Sequence, residues 1–276
     1  MKNMVLFCFL LSFFYSCTNH SGSQEELETL FNDARYEDCI DAANRQLSKN
    51  TENWRSFYWK GQCEFALDSM EAAVNSLSSS ILISSNDTNL SARADIYGYL
   101  GFLEAAIEDY NLMLEKSPEN WEALNNRGYT FNRIGRYNEA LQDLELALSY
   151  SPNSSAILNN LGMCFSGMNK LEESISYYNE AISLNPYNAV YFFNRGNSLV
   201  MLRNYDEALK DLFKAQELGL NDKNLLTNLA LAQYGTGDAG GACKTWLLSV
   251  DQGSDIAASY IEKYCDSNTV NEVSSQ

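Results

Sequence analysis

The sequence is almost without histidine. Its single one, His20, stands near the start, so a His-dependent catalytic centre or a zinc site with imidazole ligands is close to excluded. Proline and glycine are scarce, at 3 and 15 of 276 residues. That argues against a loop-rich or disordered chain, and against a many-stranded sandwich with its turns. Positive charge is short as well: 19 Lys and Arg against 36 Asp and Glu leave a formal net charge of -17. Phosphate backbones would be repelled at long range, which excludes nucleic acid as a partner, and no basic patch can dock on anionic lipid. The seven cysteines include no C-x-x-C spacing, so neither a metal site nor another cofactor site is expected.

What is present begins with Lys2 and an apolar run from Met4 to Leu11, followed by Ser12, Phe13, Phe14 and Tyr15. The run is shorter than the ~20 residues a spanning helix needs, and its layout is that of a secretory signal over residues 1–16. It stops at Ser16-Cys17, before the polar stretch Thr18 to Ser23. A small residue ahead of a cysteine at the end of such a run resembles the bacterial lipoprotein cleavage box. Phe14 and Tyr15 depart from the Leu and small residue of that pattern, and an ordinary cleaved signal is the alternative. The resemblance implies that Cys17 is acylated and opens a short tether over 17–24. Several acyl chains would hold firmly, at about 0.8 kcal/mol per buried methylene. With no acid after Cys17 until Glu25, the implied place is the cell envelope, lipid-anchored and facing the periplasm.

A 34-residue period organises the rest. Steps of 34 from Gly128 reach Gly162, Gly196 and Ala230 forward and Ala94 backward; from Ala140 they reach Ser174, Ala208, Ala242 and Ala106. A third column is Ala147, Ala181, Ala215 and Ser249, and a fourth is Pro118, Pro152 and Pro186. Small residues recurring this way mark close helix crossings, where a larger side chain would force the helices apart. Gly162 is expected to sit at such a crossing against Ser174 and Ala181. Short turns such as Ile134-Gly135-Arg136 and Met168-Asn169-Lys170 suit a left-handed residue at a helix end, and the prolines end the second helices.

These columns resemble the tetratricopeptide repeat. The resemblance is strongest from 87 to 254, in units 87–120, 121–154, 155–188, 189–222 and 223–256. A further unit over 54–86 rests on Trp54, Phe57, Gly61, Met70, Ala73 and Leu77, and a degenerate first one over 25–53 rests on Tyr36 to Ile40. Residues 257–266 read as a terminal cap with Ala257, Tyr260, Ile261 and Tyr264 on one face, and 267–276 as a polar tail. The implied fold is all-α: a right-handed α-solenoid of about six to seven helix-turn-helix hairpins with a C-terminal capping helix over 25–266. In this family first helices line an inner groove, and second helices face outward.

The groove so implied holds an asparagine ladder, Asn126, Asn160, Asn194 and Asn228, with Tyr99, Tyr129, Phe193 and Tyr234 as apolar contacts. An amide both donates and accepts, which matches the backbone of an extended guest without reading its side chains; the alternative is that these amides bind only water. The acids of the second helices, among them Glu139, Asp143, Glu145, Glu172, Glu173 and Asp211, read as a solvated outer face. Glu122, Ala156, Val190 and Asn224 stand where a clamp for chaperone carboxylate tails would need basic residues, which disfavours that partner.

The function expected is therefore a non-enzymatic protein-binding scaffold or adaptor of the bacterial cell envelope. A glycan- or nutrient-binding accessory lipoprotein is the alternative. Adjacent outward acids such as Glu172 and Glu173 point apart and make a poor glycosidase pair. Two cysteine pairs could bridge between a second helix and the next first helix: Cys243 with Cys265, 22 residues apart, and Cys39 with Cys63, 24 apart. The segments GACKTW and YIEKYC resemble endings of exported proteins with these repeats. Cys164 is left as a core residue.

Overall fold

The computed structural model describes residues 25–265. The expected signal, Cys17, the tether and the tail over 267–276 lie outside them. Fifteen helices and no strands are found among the described residues. They divide into two compact units, with the boundary after Ala123. The first contains α1 (25–32), α2 (Tyr36–Leu47), α3 (Trp54–Ala66), α4 (Met70–Ile83), α5 (Asp87–Leu100) and α6 (Leu103–Lys116). The second contains most of α7 (Trp121–Arg133), then α8 (Tyr137–Tyr150), α9 (Ser155–Gly167), α10 (Leu171–Leu184) and α11 (Ala189–Met201). It continues with α12 (Tyr205–Glu217), α13 (Lys223–Gly235), α14 (Ala239–Asp251) and α15 (Asp255–Tyr264). Among these residues no helix is long and apolar enough to cross a membrane.

Each boundary has a local cause in the sequence. The first helix of every hairpin from α3 onward, and α15 after them, is preceded by Asn, Ser or Asp. Asn53, Asn86, Asn120, Ser154, Asn188, Asp222 and Ser254 all accept a hydrogen bond from a backbone N–H of the first turn. Such caps satisfy donors that the helix itself leaves open. Each hairpin then turns on one residue of positive φ: Ala34, Asp68, Gly101, Gly135, Asn169, Arg203 and Gly237. Only three of the seven are glycines, so the remaining turns hold an L-residue in a conformation that disfavours it.

The close crossings have a second member that the small-residue columns do not reveal. A Cβ added to Gly128 would lie 2.7 Å from Leu144, and one on Gly162 would lie 2.5 Å from the Tyr178 ring. Gly61 meets Leu77, and Gly196 meets Leu212, in the same way. Each glycine is thus covered by the large residue 16 positions later, on the partner helix of its hairpin. The nearest atoms over Gly162 are those of the Tyr178 ring, which the small-residue columns did not name; Ser174 of the expected crossing also hydrogen-bonds Ser198 of α11 at 3.0 Å. Leu77, Leu144, Tyr178 and Leu212 are all buried, so the glycines exist to admit these side chains to the core.

The C-terminal end closes on an aromatic cluster. Trp246 of α14 is fully buried, and Tyr234, Tyr260 and Tyr264 lie within 6 Å of its ring centroid. Cys243 and Cys265 are joined by a disulfide with Cα atoms 5.9 Å apart, which ties α14 to the residue after α15. Cys39, Cys63 and Cys164 are free and buried. Cys164 donates to the Tyr137 carbonyl at 3.2 Å, and burial pushes its thiol up to about 11.

Candidate functional site

Successive first helices touch one another within each unit: α3 with α5, α9 with α11, and α11 with α13. The face they form carries the asparagine ladder, and its side chains are joined. Asn194 Nδ2 donates to Asn159 Oδ1 at 2.8 Å, and Asn159 Nδ2 reaches Asn160 Oδ1 at 3.4 Å. Asn160 Nδ2 donates to Asn125 Oδ1 at 2.9 Å, and Asn125 Nδ2 to Asn126 Oδ1 at 3.1 Å. Five amides thus form one relay over α7, α9 and α11. The links between helices run through Asn125 and Asn159, which the ladder alone omits; the doublets Asn125-Asn126 and Asn159-Asn160 were the available signal. Asn228 stands outside the relay because position 193 carries Phe in place of an amide.

This joining divides the ladder. Asn160 is only 8% exposed and has both ends of its amide engaged; Asn132 also donates to its backbone carbonyl at 2.9 Å. Asn126, Asn194 and Asn228 stay half-buried. The aromatic residues divide as well. Tyr99 is 68% exposed and meets Phe65 edge-on, and Tyr129 lies open beneath Arg133. Phe193 packs against the core around Leu225 and Leu229, and Tyr234 joins the C-terminal aromatic cluster, its ring 4.7 Å from that of Tyr264.

The first unit adds a recess of about 310 Å³ that sequence reasoning missed. It is built entirely from first helices: Glu25 and Glu28 of α1, Trp54, Arg55, Tyr58 and Trp59 of α3, and Thr88 of α5. Trp54 is already faced by the Arg55 guanidinium at 4.7 Å, and Tyr58 meets Trp59 edge-on at 5.1 Å. Aromatic walls with a few polar groups are the general make-up of small-ligand sites. In the sequence Trp54 is only a repeat marker, because its neighbours in the recess come from three hairpins.

The acids of the second helices require a correction. Asp109, Asp143 and Asp211 are buried and are not part of a solvated outer face. Each receives two hydrogen bonds of 2.6–3.0 Å from an arginine 16 residues earlier: Arg93, Arg127 and Arg195. The forks fix the two helices of a hairpin and cancel the charge of these three arginines. Burial pushes the Asp109 carboxyl up despite the Arg93 fork, while the fork holds the Arg93 guanidinium up. In the hairpin α9–α10 the same two positions are Leu161 and Tyr177, and Tyr177 stacks on Phe165 at 5.2 Å. The chain itself therefore exchanges an ion pair for apolar packing at equivalent positions. Glu172 and Glu173 are exposed.

With this geometry in hand, residues 96–217 match the family described as Psidin, N-terminal TPR repeats region. None of the curated proteins matches the chain in sequence. Among solved structures, a tetratricopeptide repeat protein from Parabacteroides merdae is similar at a TM-score of 0.74 and 20% identity, over 88% of this chain and 99% of that one. PilW, a widely conserved type IV pilus biogenesis factor, gives 0.67 and 18% over 77% and 99%. YrrB, a TPR protein with an unusual peptide-binding site, gives 0.50 and 19% over 68% and 97%. At such identities the likeness concerns the fold. Proteins of this fold generally serve as scaffolds for other proteins and are typically non-catalytic. In its described residues, then, the chain is an all-helical array of tetratricopeptide-type hairpins.

Proposed function

We propose that this protein is a non-catalytic scaffold of the bacterial cell envelope, tethered by lipid at Cys17, which holds a segment of a partner protein across its first-helix face. The observation that carries the binding part is the amide capacity left over by the relay. Asn126 and Asn194 are its two ends, and Asn228 lies on the repeat after Asn194; all three remain half-exposed. A row of amides with open donors and acceptors suits an extended backbone. Exposed Tyr129 adds an aromatic face for its side chains. The envelope part rests on the apolar run before Ser16-Cys17 and on a disulfide of the kind that persists in oxidising compartments.

A photo-crosslinking residue at Tyr129 tests the face. Adducts formed there in cells, and absent from the same residue placed at Glu172, are the expected result. Adducts from Glu172 alone would move the partner to the second helices. The recess around Trp54 and Trp59 favours a second reading, a glycan-binding accessory protein, since aromatic walls beside Glu28, Arg55 and Thr88 suit a sugar ring. Quenching of tryptophan fluorescence by neutral oligosaccharides, lost in Trp59→Ala, would favour it; no response would exclude it.

A further inference from the structure

The buried thiols of the first unit carry an inference that does not rest on the reading of the groove. Cys39, near the start of α2, and Cys63, near the end of α3, are both inaccessible to solvent. Their sulfurs lie 2.6 Å apart, roughly half an ångström beyond the ~2.05 Å of a disulfide bond. A cysteine kept only as a small apolar residue needs no second sulfur beside it. Cys164 shows that case, with its thiol turned to a backbone carbonyl. The pair also repeats the topology of the bridge at the other end. Cys243 lies on α14 and Cys265 follows α15, 22 positions later, and Cys39 and Cys63 join a second helix to the next first helix across 24 positions.

We propose that Cys39 and Cys63 are a disulfide-forming pair, so that in a thiol-oxidising compartment the array is bridged in its first described hairpins as it is at its last. The two thiols are unequal: Cys63 donates its hydrogen to the Cys39 sulfur, which lowers the Cys39 thiol and, with burial, raises that of Cys63. With α2 and α3 apart that bond is absent, so either thiolate can attack first, Cys39 for example. It displaces one thiolate from a low-molecular-weight disulfide such as oxidised glutathione, leaving a mixed disulfide on Cys39. Cys63 then gives up its proton and attacks the Cys39 sulfur, expelling the second carrier thiolate. One carrier disulfide is reduced to two thiols, and the protein pair loses two hydrogens. Because neither sulfur meets solvent, the exchange takes place while α2 and α3 are apart, during folding or opening of this hairpin.

The test is peptide mapping of the full chain after folding with oxidised glutathione, followed by alkylation in denaturant without reductant. Joined Cys39 and Cys63 peptides, with Cys164 alkylated and Cys243 joined to Cys265, are expected. Alkylation of both Cys39 and Cys63 in a sample where Cys243 and Cys265 are bridged would overturn the proposal. A second measurement covers stability. The Cys243→Ser, Cys265→Ser variant, which retains only this pair, should still melt several degrees lower once reductant is added, and adding Cys39→Ser should remove that dependence. A melting temperature indifferent to reductant in the Cys243→Ser, Cys265→Ser variant would also overturn it.

Discussion

Asp143 shows how far a single residue departs from its place in the pattern. By sequence it sits on an outward helix with Glu139 and Glu145; in the fold it turns inward and takes the Arg127 fork at 2.7 Å. Asp143→Ala should cost on the order of 3 kcal/mol, because it removes one member of a largely enclosed ion pair and with it both hydrogen bonds of the Arg127 fork. The double change Arg127→Leu, Asp143→Tyr copies Leu161 and Tyr177 of the following hairpin, and should unfold within about 1 kcal/mol of wild type, since well-packed apolar pairs replace buried ion pairs at little net cost. Urea melts of both variants check this. Equal losses would mean that the pair contributes through something other than its charges. At Arg203 the backbone has φ 60, which glycine tolerates better. Arg203→Gly should therefore raise stability by about 0.5–1 kcal/mol, the relief of left-handed strain less the entropy glycine loses; a fall in the urea midpoint would contradict it.

At the scale of elements, much was legible. Second helices end two residues before the proline column, at Lys116, Tyr150 and Leu184 ahead of Pro118, Pro152 and Pro186. The close crossings follow Gly128, Gly162 and Gly196, because backbone geometry leaves no room for another residue there. Less legible was whatever depends on a partner at an unequal spacing. The relay joins Asn160 to Asn125 and Asn194 to Asn159, 35 residues apart, so a search in steps of 34 finds the rungs and misses the ties. Tyr178 as the lid over Gly162 was missed for a related reason: the glycine column marks the hole without naming what fills it. Gly162→Leu should overpack this site by about 1–3 kcal/mol and lower the melting temperature by several degrees. Tyr178→Ala added to it should restore part of the loss, since the removed ring makes the room that leucine needs. A melting temperature unchanged by Gly162→Leu alone would mean that the crossing is looser than the 2.5 Å approach implies.

For the whole molecule, the excess of acid, -17 in formal charge, and the proposed binding face are separate matters. Three first-helix arginines, Arg93, Arg127 and Arg195, are paired with Asp109, Asp143 and Asp211, while exposed acids such as Glu172 and Glu173 lie on α10. Binding through amides should then depend weakly on salt, in contrast to a contact driven by charge. The most direct measurement compares the affinity of the crosslinked partner for three proteins: wild type, Asn126→Ala with Asn228→Ala, and Glu172→Lys with Glu173→Lys. Asn160 and Asn194 are left alone because their amides also tie α7 to α9 and α9 to α11. Two lost hydrogen bonds predict an affinity about 5- to 100-fold weaker for the asparagine variant, at an unchanged melting temperature, and little change for the acid reversal. Normal binding by the asparagine variant, together with loss of binding on acid reversal, would contradict the account and put the partner on the second helices.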